Sequence, residues 1–197
     1  SSDFGLLEAS VTAANRDTKL LTLSFGSQSY LSSAAATATI TVADGDANSG
    51  MSEKEHIAIK STDGDEKKYV IVNSNTTSVA TGTVLTSSSD TGASTAGSLL
   101  AGGIAVALNL SLSLASQNDF LVQLRNAILH SNGHNGRITI STTATDSNGD
   151  GVPDEADGNQ TIILTQAVAG NTANFGITSD ISQTTLAGFT GGKRADS

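Results

Sequence analysis

The residues best placed to do chemistry are Asp146-Ser147-Asn148-Gly149-Asp150-Gly151-Val152-Pro153-Asp154-Glu155-Ala156-Asp157. Acids crowd this stretch and no base accompanies them, so their mutual repulsion favours a bound cation. Calcium is a hard ion that takes several oxygen ligands from alternating positions of such a loop. The spacing offers Asp146, Asn148, Asp150, the Val152 carbonyl, Asp154 and Asp157 as those ligands, with Gly151 where the loop must turn sharply. The ion would be structural, closing the loop between two strand-like runs at Ile138 and Ile162. The competing reading of the same residues is a solvated acidic hairpin loop.

Other chemically suggestive groups reduce to local structure. Asp44, Asp46, Asp63 and Asp65 sit in Asp-Gly turn sequences, and turn formation accounts for them. His130 and His134 fall at a helix end and in the loop after it, where imidazoles meet exposed carbonyls. Gly133 between them breaks the helix, so the two rings do not share the helical face that a zinc pair needs. Gly102-Gly103 precedes a strand rather than a helix and is no phosphate loop. No nucleophile elbow, Ser/His/Asp arrangement or catalytic carboxylate pair stands out, so the chain reads as non-enzymatic.

Hydrophobic periodicity indicates the elements that must hold these groups. Strand patterns run over Thr37–Val42, His56–Lys60, Lys68–Val72, Arg137–Ser141 and Gln160–Thr165,. Asp63-Gly64 between two such runs marks a hairpin. The cleanest alternation covers Ile104 to Leu114, aliphatic on one face and small or polar on the other. The period then changes over 117–131, where Phe120, Leu121, Leu124, Ala127 and Ile128 form one stripe of a helix. Ser116 or Asn118 is its expected N-cap, and Gly133 the left-handed residue that ends it. The expected fold class is α+β: a mainly antiparallel β-sheet with one amphipathic helix packed on it, plus an extended N-terminal arm. Residues 1–35, carrying Phe4, Leu6, Leu7, Leu20, Leu21, Leu23, Phe25, Tyr30 and Leu31, are expected to be a docking arm, the alternative being an ordinary edge strand of the same domain. Residues 36–192 form the β-rich domain with a long loop insertion at 73–103, and 193–197 are a tail.

Composition narrows the partners. Ser, Thr, Ala and Gly supply about half of the 197 residues, with 5 Phe, 2 Tyr, no Trp and no Cys. A core of such small side chains buries little area per residue, so stability shared with neighbouring subunits or an ion is expected. The net charge of −9 argues against nucleic acid and against an anionic membrane surface,. The lack of cysteine excludes disulfides, thiolate zinc sites and cysteine nucleophiles,. No apolar stretch has the length of a transmembrane helix. Ser1-Ser2-Asp3-Phe4 lacks signal-peptide features and reads as a start missing only its initiator methionine.

Two resemblances follow from these residues. The loop at 146–157 resembles the calcium repeats of EF-hand, dockerin and thrombospondin type-3 proteins, the last most closely through Asp150-Gly151-Val152-Pro153-Asp154. Asp157 stands where the EF-hand has a bidentate Glu, which lowers the expected affinity, and no helical pattern flanks the loop. More widely, residues 36–192 resemble a domain recurring in structural proteins of tailed bacteriophages, especially those of marine and cyanobacterial hosts, while residues 1–35 lie outside the resemblance. It is carried by the strand near Thr37–Val42, the Ser61-Thr62-Asp63-Gly64 hairpin, Phe120–Ile128, His130-Ser131-Asn132-Gly133-His134-Asn135-Gly136-Arg137-Ile138-Thr139-Ile140, Thr161–Ala167 with Gly170-Asn171-Thr172, and Leu186–Gly192. The acidic loop is an insertion in that pattern.

The resemblance implies a virion structural protein, assembled in the host cytoplasm and carried in the extracellular particle. A capsid decoration or cement protein is the favoured expectation, with capsid subunits as partners and self-association as a homo-oligomer. A tail component (tube, adaptor or fibre base) is the nearest alternative. A calcium-stiffened cell-surface adhesion or appendage module comes next. A polysaccharide hydrolase has least support, because aromatics for sugar stacking are scarce.

Overall fold

The computed structural model describes residues 8–9, 23–24, 32–43, 51–76, 78–86, 101–110, 117–154 and 158–194. Two short strands, β1 (Glu8–Ala9) and β2 (Leu23–Ser24), pair antiparallel. The rest of the docking-arm sequence before Ser32 lies outside the described residues, as do the tip of the 73–103 segment and residues 111–116.

Among the described residues, two four-stranded sheets and one α-helix enclose the main core. The first sheet has the order β6-β5-β4-β9 and the second β10-β3-β8-β7. Their strands are β3 (Thr37–Val42), β4 (His56–Lys60), β5 (Glu66–Asn73), β6 (Ile104–Leu108), β7 (Ile138–Ser141), β8 (Gln160–Gln166), β9 (Thr178–Ser179) and β10 (Thr184–Thr190). Helix α1 spans Gln117–Leu129. The α+β reading holds, with every strand pair antiparallel except β5–β6.

That exception explains the long Ser/Thr-rich stretch. Antiparallel neighbours need only a tight turn, whereas parallel neighbours need a crossover of a dozen residues or more. The chain between Asn73 and Ile104 is this crossover. Part of it returns along the sheet: Val84 bridges Ile104, and Leu85 N–H donates to Gly103 O at 2.8 Å. Leu85 thereby covers Val70, Val72 and Ala105 on the outer side of the sheet, a small second core. The small face of β6 expected to meet solvent or a neighbour is therefore partly inside: Ala105 is fully buried.

The main core follows the alternation. Ala38, Ile40 and Val42 on β3 face Ile162 and Leu164 on β8 in register. They join Ile57, Ile59, Tyr69, Ile71, Ile104 and Val106 from the other sheet. Helix α1 closes this core with the five residues of its apolar stripe, all buried. At roughly 25 cal/mol per Å² of apolar area removed from water, this burial drives the collapse of a chain poor in aromatics.

Helix α1 ends differently from the sequence expectation. Gly133 is not left-handed; that conformation falls to Gly136, at φ 71°. Gly133 is required by space instead. A Cβ there would lie 2.1 Å from Ala127 O and 2.6 Å from Ile128 O. The chain crosses directly over the last helical turn, letting His134 N–H reach Ile128 O at 2.7 Å.

Candidate functional site

The acidic loop leaves β7 and returns toward β8, its neck closed by Asp154 N–H donating to Thr145 O at 2.8 Å. Its carboxylates fold the loop through its own amides. Asp146 accepts from Asp150 N–H at 3.0 Å and from Gly151 N–H at 2.8 Å, one bond to each carboxylate oxygen. The Asn148 side-chain oxygen also takes Asp150 N–H, at 2.9 Å. Asp150 accepts from Val152 N–H at 2.9 Å. Asp154 turns back to Ser147, accepting from its N–H at 3.1 Å and its hydroxyl at 2.7 Å.

Three contacts fasten this loop to the fold. The Val152 side chain is buried in the main core. Pro153 O accepts from the Asn118 side-chain amide at 2.6 Å, so Asn118 ties the start of α1 to the loop. Gln160 donates to Asp154 O at 3.2 Å. Gly151 holds φ 81°, and a Cβ there would meet Ile140 O at 2.7 Å. Only glycine satisfies both demands.

Four of the five side chains or groups expected as ligands from Asp146 to Asp154 thus lie in one turn, and the fifth, Val152, anchors it. Asp157 lies outside the described residues. Among the described residues, no three acidic or histidine side chains converge into a ready-made cation site. No ion pair joins Asp146, Asp150 or Asp154 to a base among the described residues. An all-oxygen donor set with uncompensated negative charge suits a hard divalent cation rather than zinc or copper.

A second polar cluster was not apparent from the sequence. The β4–β5 hairpin turns at Gly64, with Ser61 N–H donating to Asp65 O at 2.9 Å and Gly64 N–H to Ser61 O at 2.9 Å. Its tip is clasped from the other sheet. Arg137 lies 3.2 Å from Asp63 and 2.6 Å from Asp65, and Lys67 reaches Asp65 at 3.2 Å. Gln166 is buried at the end of β8. It accepts from the Thr62 N–H and hydroxyl, both at 3.0 Å, and donates to Lys60 O at 2.8 Å. The Asp63 carboxyl is held below the usual range, chiefly by the Ser61 hydroxyl, with Arg137 assisting.

His134 sits beneath this clasp, fully buried. Its ring meets a hairpin carbonyl and a tyrosine hydroxyl instead of the exposed helix-end carbonyls expected from sequence. Its Nε2 lies 3.2 Å from Asp65 O, and its Nδ1 lies 2.7 Å from the Tyr69 hydroxyl. A carbonyl only accepts, so Nε2 carries the proton and Nδ1 accepts from Tyr69. Burial first, then Lys67 and Arg137, lower the imidazole pKa, against an opposing pull from Asp65. Burial likewise raises that of the Tyr69 hydroxyl. His130 is separate: its ring packs on Gly82, where a Cβ would lie 2.4 Å from its Cγ.

Among the described residues, the strands of the second sheet put no charged side chain on its outer face. It presents Thr37, Thr39 and Thr41 on β3 and Thr161, Ile163 and Thr165 on β8. Thr139 and Ser141 flank them on β7, and Thr185, Ala187 and Thr190 on β10, all set by the strand registers. Thr41 and Thr161 share a hydrogen bond at 2.8 Å. At one end of this sheet Ala34 and Lys193 pair, through bonds of 3.0 and 2.9 Å. Among the described residues, no helix is long and apolar enough to cross a membrane. Comparison of the chain with known protein families, curated proteins and solved structures gives no match.

Proposed function

We propose that this chain is a non-enzymatic structural protein of a bacteriophage virion, a decoration or cement protein that bridges neighbouring capsid subunits. The observation carrying this reading is the outer face of the second sheet. A chain with net charge −9 leaves there an array of methyl and hydroxyl groups with no charged side chain among the described residues. Such a face has no charge to desolvate, and its hydroxyls can hydrogen-bond a protein surface packed against it. The pairing of Ala34 with Lys193 adds a geometric point: the chain leading from residues 1–31 enters this same sheet at the end of its inner strand β3. Arm and face would then engage the capsid together, each adding to the effective concentration of the other.

The experiment is to label the protein in intact particles and count it. Hundreds of copies spread over the shell support decoration; a single ring at one vertex supports the tail-component reading instead. Absence from purified particles would reject both. Charging the face with Thr39→Lys and Thr161→Glu should abolish incorporation while leaving the melting temperature of the free protein nearly unchanged.

Within this reading the loop at 146–157 holds a structural calcium ion. The supporting observation is that its carboxylates are held by backbone amides and the Ser147 hydroxyl and have no basic partner among the described residues. Calcium would supply the missing positive charge and lock the loop between β7 and β8. Calorimetric titration giving no heat at millimolar calcium would reject it.

A further inference from the structure

His134 is tied to the end of α1 and, more than sixty residues away in sequence, to two points of the β4–β5 hairpin. Its backbone N–H caps α1 through Ile128 O, its Nδ1 receives the Tyr69 hydroxyl of β5, and its Nε2–H holds Asp65 O at the hairpin tip. The two rings lie 5.8 Å apart, tilted by 50°. The ring therefore stitches the first sheet to the segment between α1 and the second sheet. We infer that His134 is an acid-sensitive latch: protonation below neutral pH releases the hairpin tip, residues 61–65, from the segment 130–137 and loosens the seam between the sheets.

The chemistry of both ring nitrogens supports this. Nε2 already carries a proton, so acid can add one only at Nδ1. That new proton displaces the one Tyr69 donates, and the buried hydroxyl loses its acceptor. The added charge is also badly placed. Arg137 and Lys67 repel it, and the carboxylates that would welcome it, Asp65 and Asp63, are engaged by those same cations. Burial opposes the charge further. An opened tip removes each objection by giving the imidazolium water. Low pH therefore favours the open form, and the Gln166 clasp on Thr62 keeps the opening local.

The test is amide hydrogen exchange of the full chain between pH 7.5 and 5.0, expressed as protection factors so that intrinsic rates cancel. Protection at Ser61, Gly64 and His134 should fall as pH drops below 6.5. The fall should be up to about tenfold at pH 5.5, one unit below an ordinary imidazole. Amides of β3 and β8 should change little. Tyr69→Phe, which lets Nδ1 protonate in the closed form without displacing a hydroxyl, should shrink the acid-driven fall in protection. His134→Gln should abolish it. His56→Gln is the control: His56 lies 3.0 Å from the Asp180 carboxylate, away from this seam, and its loss should leave the transition in place. Should His134→Gln fail to fold, imidazole nitrogen shifts of the wild-type chain give the answer directly. Flat protection factors across this range, a transition surviving in His134→Gln, or His134 titrating with no change at the hairpin would each overturn the latch.

Discussion

Two acidic turns of this molecule differ in how their charge is met. At the β4–β5 tip, Asp63 and Asp65 face Arg137 and Lys67, and the turn is complete within the chain. In the loop after β7, Asp146, Asp150 and Asp154 receive backbone amides and a hydroxyl but no base among the described residues. Amide dipoles orient a carboxylate without cancelling its charge. The first turn is therefore self-sufficient, while the second is shaped yet keeps its negative charge uncompensated among the described residues. Acid clusters that look alike in a sequence are separated by whether the fold delivers a guanidinium to them.

The comparison can be broken from either side. The largest effect is expected at the clasp: His134→Ala leaves a hole and an unpartnered Tyr69 hydroxyl, costing about 3 kcal/mol in denaturant unfolding. In the acidic loop, Gly151→Ala forces a side chain into a left-handed position against Ile140 O and should cost about 2 kcal/mol. Asp146→Ala removes the acceptor of two amides, about 1 kcal/mol in chelator. In millimolar calcium its deficit should widen, because wild type alone gains from the ion; equal deficits in both media would make the loop a plain hairpin. The smallest effect is expected from Arg137→Ala. That pair is nearly half exposed, so screening limits the loss to under about 1 kcal/mol.

Acid separates the two regions further. The folded chain holds His134 neutral where the unfolded chain protonates it. Its stabilising contribution is thus complete above pH 6.5 and lost as pH falls from there toward the lowered folded value,. Thermal melts from pH 7.5 to 5.0 should show this decline, and His134→Gln should flatten it. A decline of equal size in that variant would assign the effect elsewhere.

The strands and the helix were legible because burial on one face imposes a period, as in Thr37–Val42 and in the stripe from Phe120 to Ile128. The hairpin at Asp63-Gly64 was legible from its turn chemistry. What sequence could not supply was anything made by long-range pairing. Val70 and Ala105 gave no sign that β5 and β6 run parallel, nor that Leu85 would cover them. Gly133 carried the signal of a helix end but for a different reason, close approach rather than handedness. The acidic loop was readable because its groups lie within a few residues of one another. The His134 clasp was not, since Asp65, Tyr69, Arg137 and Gln166 meet only through the fold. A buried histidine between a tyrosine and a carbonyl has no signature in spacing.

The bridge between Ala34 and Lys193 carries a topological consequence. With these two residues hydrogen-bonded side by side, the fold from β3 to β10 is a nearly closed ring of polypeptide. A few glycines would splice 193 to 34 without disturbing either sheet, and new ends could be cut at exposed Asn148, where the chain already projects outward,. Such a permutant would keep every strand neighbour from β3 to β10 while placing its ends at the acidic loop. The order of the strands in space, rather than their order along the chain, would then be what the architecture remembers.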